Sequence, residues 1–231
     1  MAINGALTPT SYAVLGLLAI KPWTTYELAK QMDRTLNRFW PRARSKLYEE
    51  PKKLVAKGLA VAETGAHGRR PRTVYSITEL GRGALAAWLG ADSAEPVFES
   101  EHILKVFYAE NGSTADVLAT LNHLRDWVHG LTVRNVETGT QYLGGTGSYP
   151  ERLAILALTG RFIDDYLEMI DRWAEWAGEI VGDWPAEPGN AKPDIAALEA
   201  TVRQARARAA RWQSDAAQTA LVATAPRNAS A

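Results

Sequence analysis

The stretch "RARSKLYEEPKKLVAKGLAVAETGAHGRRPRTVYSIT", residues 42–78, decides the fold that we predict for this chain. Its first part, about Arg42 to Lys57, has the composition of a helix and is followed by Gly58, as helices often are. Two segments with alternating and β-branched residues come next, joined by the loop "AHGRRP" with its basic tip. The stretch therefore predicts a helix followed by a β-hairpin.

Pro51 lies inside the predicted helix. At 100° per residue it shares one stripe with Leu47 and Leu54, so we expect it on the buried side. A proline removes a backbone donor and crowds the preceding turn, at a cost of about 3 kcal/mol in an exposed helix interior. We predict a kinked but continuous third helix, with a break into two pieces as the alternative.

Two shorter helices are predicted before this stretch. The segment "LTPTSYAVLGLLAIKPW" favours a helix that begins near Pro9 and stops before Pro22. In "TTYELAKQMDRTL", Thr24 and Glu27 have the spacing of a capping box. Three helices followed by a basic hairpin describe a winged helix-turn-helix, in which the third helix enters the major groove and the hairpin follows the backbone.

The charge of the chain is divided between its two parts. Residues 1–90 hold 14 Lys and Arg against 6 Asp and Glu, a net charge of +8, whereas residues 91–231 hold 12 against 20, a net charge of −8. A basic domain is expected of a protein that binds the phosphate backbone. The first part therefore predicts DNA binding, and the second part predicts a different role.

The candidate DNA-binding residues are cations and hydrogen-bond donors in the third helix and on the hairpin. They could be ordinary solvated surface residues, but the cluster on the hairpin favours contact with DNA. These candidates are Arg42, Arg44, Ser45, Lys46, Tyr48, Lys52, Arg69, Arg70 and Arg72.

The segments "SYAVLGLLAIKPWTTYELAKQM", "FWPRARSKLYEEPKKLVAKGL" and "GRRPRTVYSITELGRGAL" together resemble the PadR family of transcriptional regulators. The resemblance implies a homodimeric repressor that binds double-stranded DNA at an inverted-repeat operator and is released by a small effector. It also implies that Tyr26, on the second helix, faces DNA, and we add its neighbour Thr25 to the candidate DNA-binding residues. Two departures are Thr25, where the family commonly has glycine, and Pro51, where it more often has leucine.

We predict three parts: a winged helix-turn-helix domain at 1–90, a helical dimerisation and effector domain at 91–184, and an extension at 185–231. The fold class is thus mainly α, with a two-stranded wing. The middle part resembles the longer subgroup of the family. Two long helices are predicted in it, the first with a cap at Ser113. The second, from Glu151 to Val181, is apolar over more than one face, which favours pairing with a second subunit. The predicted dimerisation residues are Val117, Leu121, Leu124, Val128, Leu156, Phe162, Ile163, Tyr166, Ile170 and Trp173.

An effector pocket is harder to locate, because pockets and cores use the same apolar and aromatic side chains. The candidates for binding a small aromatic or hydrophobic effector are Trp40, Phe107, Tyr108 and Trp127, and ordinary packing is the favoured interpretation of each. In the extension, "PAEPGNAKP" predicts a linker. It is followed by a weak heptad pattern that favours one more helix, and then by a disordered tail of about ten residues.

Other classes of protein fit less well. The chain has no cysteine and four histidines, without the spacing of a metal site or a nucleophile motif, so we expect no enzyme activity, no metal and no cofactor. No apolar run is long enough to span a bilayer, and we expect a cytoplasmic protein. The alternative to a regulator is a winged-helix interaction or architectural module without ligand response.

Overall fold

The computed structural model describes residues 6–36, 40, 44–67 and 70–224, and it describes their side chains except at 44–47, 66–67, 70–71 and 215–224. The chain divides into two compact units, Met1–Phe98 and Glu99–Ala231. The N-terminal unit contains, in chain order, α1 Pro9–Ile20, β1 Trp23–Thr24, α2 Thr25–Thr35, α3 Arg44–Ala56, β2 Ala60–His67, β3 Arg70–Ile77 and α4 Glu79–Leu89.

Helices α1 and α2 both begin with a capping box. The Thr8 hydroxyl accepts a hydrogen bond from the Ser11 backbone N–H at 3.2 Å, and the Ser11 hydroxyl accepts one from the Thr8 N–H at 3.1 Å. Thr24 and Glu27 form the same arrangement at the start of α2, as the sequence predicts. Each box satisfies backbone donors that the first turn of a helix leaves unpaired.

The predicted hairpin is present and is longer than expected. Strand β2 pairs antiparallel with β3 from Ala60 opposite Ile77 to His67 opposite Arg70, so most of the predicted loop "AHGRRP" belongs to the strands. The described residues form a three-stranded sheet in the order β1, β3, β2, because Trp23 and Thr24 pair with the other edge of β3. We did not predict β1, since two residues are too few to produce an alternating pattern.

The core of the N-terminal unit lies between α1, α2, α3 and the sheet. Helix α3 continues from Arg44 to Ala56 without a break, and the Pro51 ring is fully buried beside the helix's own Leu54. The buried ring confirms the predicted orientation of α3. The fully or almost fully buried apolar residues include Val14, Leu15, Leu18, Leu28, Met32, Leu54 and Leu59.

A tight junction joins the hairpin to α4. The Thr78 hydroxyl caps α4 by accepting from the Gly81 N–H at 3.1 Å, and it donates to the Gly58 carbonyl at 2.7 Å. A Cβ atom at Gly81 would lie 2.1 Å from the Leu59 carbonyl oxygen, so the chain has room only for glycine at this position. Helix α4 then runs along α1, where the rings of Tyr12 and Trp88 stack with their centroids 4.8 Å apart.

The C-terminal unit is all-helical in the described residues. Its helices are α5 Glu101–Phe107, α6 Thr114–Leu143, α7 Leu153–Gly182 and α8 Ile195–Thr224, with short 3-10 turns at Ala109–Asn111, Pro150–Arg152 and Pro188–Asn190. Helix α6 begins at the predicted Ser113 cap and runs to Leu143, twelve residues beyond Leu131, the last residue of its predicted apolar pattern. The mainly α class with a small antiparallel wing is confirmed.

Helices α6 and α7 pack along their length through interlocking apolar side chains. Val117, Leu121, Leu124, Val128 and Leu131 of α6 meet the α7 residues Ile163, Leu167, Ile170, Ala174, Ala177 and Val181. At the edge of this contact, Arg125 donates from Nε to Asp171 Oδ1 at 3.0 Å and lies 3.4 Å from Glu175 Oε1. In the part of the chain that the structure describes, no helix is long and apolar enough to cross a membrane.

Candidate nucleic-acid interface

The first turn of α2 presents Tyr26 to solvent. The capping box fixes this turn, because the Glu27 carboxylate accepts from the Thr24 N–H at 2.9 Å and from its hydroxyl at 2.8 Å. Leu28, Ala29 and Met32 hold the opposite side of α2 in the core. Tyr26 is 66% exposed and Thr25 is half-buried, so both predicted residues lie at the edge of the domain.

The wing is tied to α2 by an ion pair. Arg72 of β3 donates a short hydrogen bond from Nη2 to Glu27 Oε1. The Thr24 backbone N–H is the main cause that lowers the pKa of Glu27 to about 2, and the Thr24 hydroxyl and the Arg72 guanidinium add to it. Arg72 therefore has a structural partner, in addition to its predicted role at DNA.

Helix α3 has an exposed face and a buried face. Tyr48 is exposed, and the exposed Lys52 Nζ lies 3.1 Å from Glu49 Oε1. On the buried face Glu50 is only 5% exposed, and its Oε1 accepts a hydrogen bond of 3.1 Å from the Ser11 hydroxyl of α1. The other oxygen, Oε2, lies 3.5 Å from Lys53 Nζ and accepts no hydrogen bond from the described residues.

A second hydrogen bond attaches the segment before α3 to the start of α1. The Trp40 indole Nε1 donates to the Thr10 hydroxyl at 3.2 Å. Thr10 and Ser11 are themselves buried, so the first turn of α1 makes one polar contact with Trp40, before α3, and another with Glu50, in α3. We call these two contacts the polar anchor. The sequence did not predict this anchor, because glutamate is usually a surface residue. Its partner Ser11 is also 39 positions away in the chain.

Several predicted DNA contacts cannot be placed in full. Arg42 and Arg69 lie outside the described residues. For four others the structure describes the backbone alone. Arg44, Ser45 and Lys46 lie at the start of α3, and Arg70 lies at the start of β3. Their contacts with DNA stay predictions.

The predicted effector residues do not gather around one described cavity. Phe107 and Tyr108 are both more than half exposed and form an edge-to-face pair with ring centroids 5.0 Å apart, while Trp127 is 41% exposed on α6. A cavity of about 450 Å³ lies in the N-terminal unit, and none of the four candidates lines it. Its lining residues are Ala6, Leu7, Leu59, Glu79, Leu80, Gly83 and Ala84.

The predicted dimerisation residues separate into three groups. Six of them are already covered by α6–α7 packing within the chain, namely Val117, Leu121, Leu124, Val128, Ile163 and Ile170. Leu156, Tyr166 and Trp173 are half-buried, and burial raises the pKa of the Tyr166 hydroxyl. Phe162 is 63% exposed.

Phe162 belongs to a second apolar stripe on α7 that the sequence analysis did not separate from the first. Its members recur every seven residues at Ile155, Phe162, Met169 and Trp176, all at least 44% exposed, and Leu158 lies beside them. At 100° per residue this stripe lies roughly 120° around the helix from the side chains that contact α6. We call it the exposed α7 stripe.

No group of three or more His, Asp or Glu side chains could hold a metal ion, as far as the described residues go. In the N-terminal unit, the helices α2 and α3 are followed along the chain by β2 and β3. These two strands form the wing and belong to the three-stranded sheet. This arrangement defines a winged helix-turn-helix domain.

Residues 14–87 match the model of the transcriptional regulator PadR-like family, which covers α1 to α4 almost completely. The N-terminal unit is thus similar to this family, and the resemblance predicted from the sequence is confirmed over these residues. The family is one of transcriptional regulators and not of enzymes.

Two curated relatives match over the same region. A negative transcriptional regulator PadR from Bacillus subtilis (strain 168) is 29% identical over 99 residues, which are 42% of this chain and 54% of that protein. A probable transcriptional regulator, Rv1176c of Mycobacterium tuberculosis (strain ATCC 25618 / H37Rv), is 32% identical over 87 residues, 37% of this chain and 44% of its own length. The chain thus spans about half the length of the curated relatives it matches.

Solved structures share the fold over a longer region. The crystal structure of smu.1604c from Streptococcus mutans UA159 aligns with a TM-score of 0.64 at 19% identity, over 74% of this chain and 98% of that one. Bacillus subtilis PadR in complex with operator DNA aligns with a TM-score of 0.61 at 20% identity, over 75% and 99%. The same protein in complex with p-coumaric acid gives 0.56 at 20% identity, over 75% and 98%.

Proposed function

We propose that this protein is a homodimeric transcriptional repressor of the cytoplasm, which binds an inverted-repeat operator and is released by a small aromatic effector. The observation that carries the proposal is the arrangement of the N-terminal unit. Apolar side chains of α1, α2 and α3 form its core, while Tyr26, Tyr48 and Lys52 are exposed on the two helices of a winged helix-turn-helix whose wing holds Arg70 and Arg72.

The charge of the N-terminal unit supports DNA as the partner. The excess of eight positive charges in residues 1–90 suits the phosphate backbone. Tyr26 and Tyr48 can donate hydrogen bonds to phosphates, and the predicted contacts at Ser45 and Lys46 lie near the start of α3, where a recognition helix meets base edges. We therefore assign base contacts to α3 and backbone contacts to α2 and the wing.

The exposed α7 stripe supports a homodimer. A row of large apolar side chains exposed on a long helix marks an interaction surface, and a two-fold axis would bury the same row from both subunits. A dimer also suits a helix-turn-helix protein, because the half-sites of an inverted repeat are read by two copies. We assign Phe162 and its neighbours on the stripe to this contact.

The effector is proposed from the likeness to the p-coumaric acid complex, which concerns the relative and not this chain. The exposed aromatic residues Phe107, Tyr108 and Trp127 can stack on a small aromatic acid. We keep Trp40 as a candidate because its hydrogen bond to Thr10 links it to the anchor of α3.

The test is a gel-shift series with the full chain on a site selected from a random DNA pool. We expect binding at least about a thousandfold tighter than to random DNA, with affinity that falls steeply as salt rises. Lys105→Ala removes one exposed cation from α5, outside the N-terminal unit, and serves as the control variant. It should leave the affinity for the selected DNA unchanged. Equal affinity for selected and random DNA would identify an architectural module instead.

Adding p-coumaric acid to the operator complex tests the effector. We expect release of DNA as the ligand concentration rises, together with a change in tryptophan fluorescence, and no release by a non-aromatic carboxylic acid of similar size. Trp127→Leu and Phe107→Leu should weaken the response without changing operator affinity. A complex that persists at saturating concentrations of a panel of aromatic acids would contradict ligand release.

A further inference from the structure

We propose that α8 pairs in an antiparallel coiled coil with the α8 helix of a second copy of this chain. This inference goes beyond the proposed function. It concerns a helix that follows the segment of family resemblance, and it depends neither on DNA binding nor on the exposed α7 stripe.

Helix α8 exposes an apolar seam. Ile195, Leu198, Val202 and Trp212 are between 39% and 68% exposed, although they belong to a 30-residue helix. Together with Ala205 and Ala209 they recur at alternating intervals of three and four residues, which is the a and d pattern of a coiled coil. A helix with such a seam gains most of its stability from a packing partner and little from its intrinsic propensity.

The sizes of the seam residues are complementary in one antiparallel register. If the two-fold axis passes between positions 203 and 204, Leu198 faces Ala209 of the other copy, and Val202 faces Ala205. Each of these layers joins a large side chain to a small one, which allows the helices to approach closely and to fill the space between them. The outer layers join Ile195 to Trp212.

One pair of charged residues beside the seam is complementary in the same register. Glu199 and Arg206 occupy e positions, and in an antiparallel pair the e positions of the two helices face each other. The register that matches the seam also places Glu199 opposite Arg206 of the other copy, twice by symmetry. Among the described residues neither side chain makes an ion pair within its own chain.

A parallel pair is less favourable for the same residues. In a parallel arrangement g positions face the following e positions, so Asp194 would meet Glu199 of the other copy, and like charges in that position repel. Asp194 is also engaged locally, because its carboxylate caps α8 by accepting from the Ala197 N–H at 2.8 Å. The attraction between Glu199 and Arg206 is therefore available only in the antiparallel orientation, and it favours that orientation.

The absence of native cysteine allows a direct test by disulfide cross-linking of the full chain. We would prepare Leu198→Cys and Ala209→Cys separately, mix them under mild oxidation and measure the covalent dimer on non-reducing gels. The expected result is a cross-link in the mixture at least about tenfold above that of either variant alone. Ala207→Cys, on the face opposite the seam, replaces Ala209→Cys in the control mixture and should give none.

Charge reversal in the same cross-linking assay tests the register. Glu199→Arg should reduce the yield at least about threefold, and the double change Glu199→Arg and Arg206→Glu should restore it. Circular dichroism of each variant establishes that the helix content is unchanged. Efficient cross-linking of Leu198→Cys with itself would overturn the antiparallel arrangement, and no cross-link in any mixture would overturn self-pairing.

Gel shifts with the reduced variants separate this proposal from the proposed function. Selective DNA binding without the mixed cross-link would refute only the α8 pairing, whereas the mixed cross-link without selective DNA binding would refute only the repressor.

Discussion

Leu54 of the N-terminal unit is 1% exposed, whereas Phe162 of the C-terminal unit is 63% exposed. The two units therefore differ in where they place large apolar side chains. The N-terminal unit buries Leu15, Leu18, Leu28 and Leu54 in a core among α1, α2, α3 and the sheet, and it leaves Leu80 and Leu89 of α4 exposed. The C-terminal unit buries one stripe of α7 against α6 and leaves another uncovered. The comparison indicates that the first unit folds around its own core, while the second leaves an apolar surface exposed, which is what the proposed dimer requires.

The largest expected effect concerns the core of the N-terminal unit. Leu54→Ala should lower the free energy of unfolding by about 3 kcal/mol, because it removes buried methyl groups and leaves a cavity. Leu89→Ala, a matched change at a residue 70% exposed on α4, should stay within about 0.5 kcal/mol. Urea unfolding followed by circular dichroism measures both, and equal losses would contradict the contrast between buried and exposed leucines.

The next largest effect concerns the exposed α7 stripe. Phe162→Asp should dissociate the proposed dimer, because it places a charge in an apolar contact, and operator affinity should fall by about a hundredfold or more. Phe162→Leu keeps the apolar character and should retain the dimer. Sedimentation equilibrium at micromolar concentrations decides the outcome, and a dimer that survives Phe162→Asp would remove α7 from the interface.

A third prediction probes the polar anchor inside the core of the N-terminal unit. Ser11→Ala should cost about 1–3 kcal/mol, because it leaves the buried Glu50 carboxylate without its donor and weakens the cap of α1. Adding Glu50→Leu should recover part of this loss, since an apolar residue needs no partner. Thermal unfolding of the single and double variants provides the test, and additive losses would show that the two residues act independently.

A fourth prediction separates two cations of the wing. Arg70→Ala should lower the slope of log affinity against log salt by about one, as expected for one lost phosphate contact. Arg72→Ala should change the slope less, because Arg72 already pairs with Glu27. Gel shifts over a salt series measure these slopes, and a larger change for Arg72 would mean that DNA displaces Glu27.

The smallest expected effect is a response to acid. The pKa of Glu27 is lowered to about 2 from an ordinary value of 4.5, so its contribution to stability is present above about pH 4.5 and is lost as pH falls toward 2. We expect a loss below about 1 kcal/mol, because both partners of the ion pair are more than one third exposed. The stability of Glu27→Gln should vary less with pH over this interval, and an unchanged pH dependence would contradict the assignment.

The sequence predicted the elements whose causes are local. The caps at Ser113 and Thr24 and the proline at position 9 each define a helix start within a few residues, and Pro51 was predicted on the correct face. Strand β1 was missed because it exists only through pairing with β3. A strand of this kind depends on tertiary structure that no short window contains.

The parts of the site that could not be predicted depend on distant contacts. The Arg72–Glu27 pair joins residues 45 positions apart, and the Ser11–Glu50 pair joins residues 39 apart. On α7, periodicity identified apolar residues but could not tell which stripe meets α6, because both stripes repeat with helical spacing. DNA binding stays a prediction, which depends on the excess of cations in residues 1–90 and less on individual contacts.

The Glu27 carboxylate belongs to the capping box of α2 and also holds Arg72 of the wing, so the two elements should open together. Native-state hydrogen exchange would report this as a shared opening free energy for the amides of Thr24 and its strand partner Val74. In Glu27→Gln the amides should lose protection together. The wing and the start of α2 would then behave as one cooperative unit, although they are far apart in the chain.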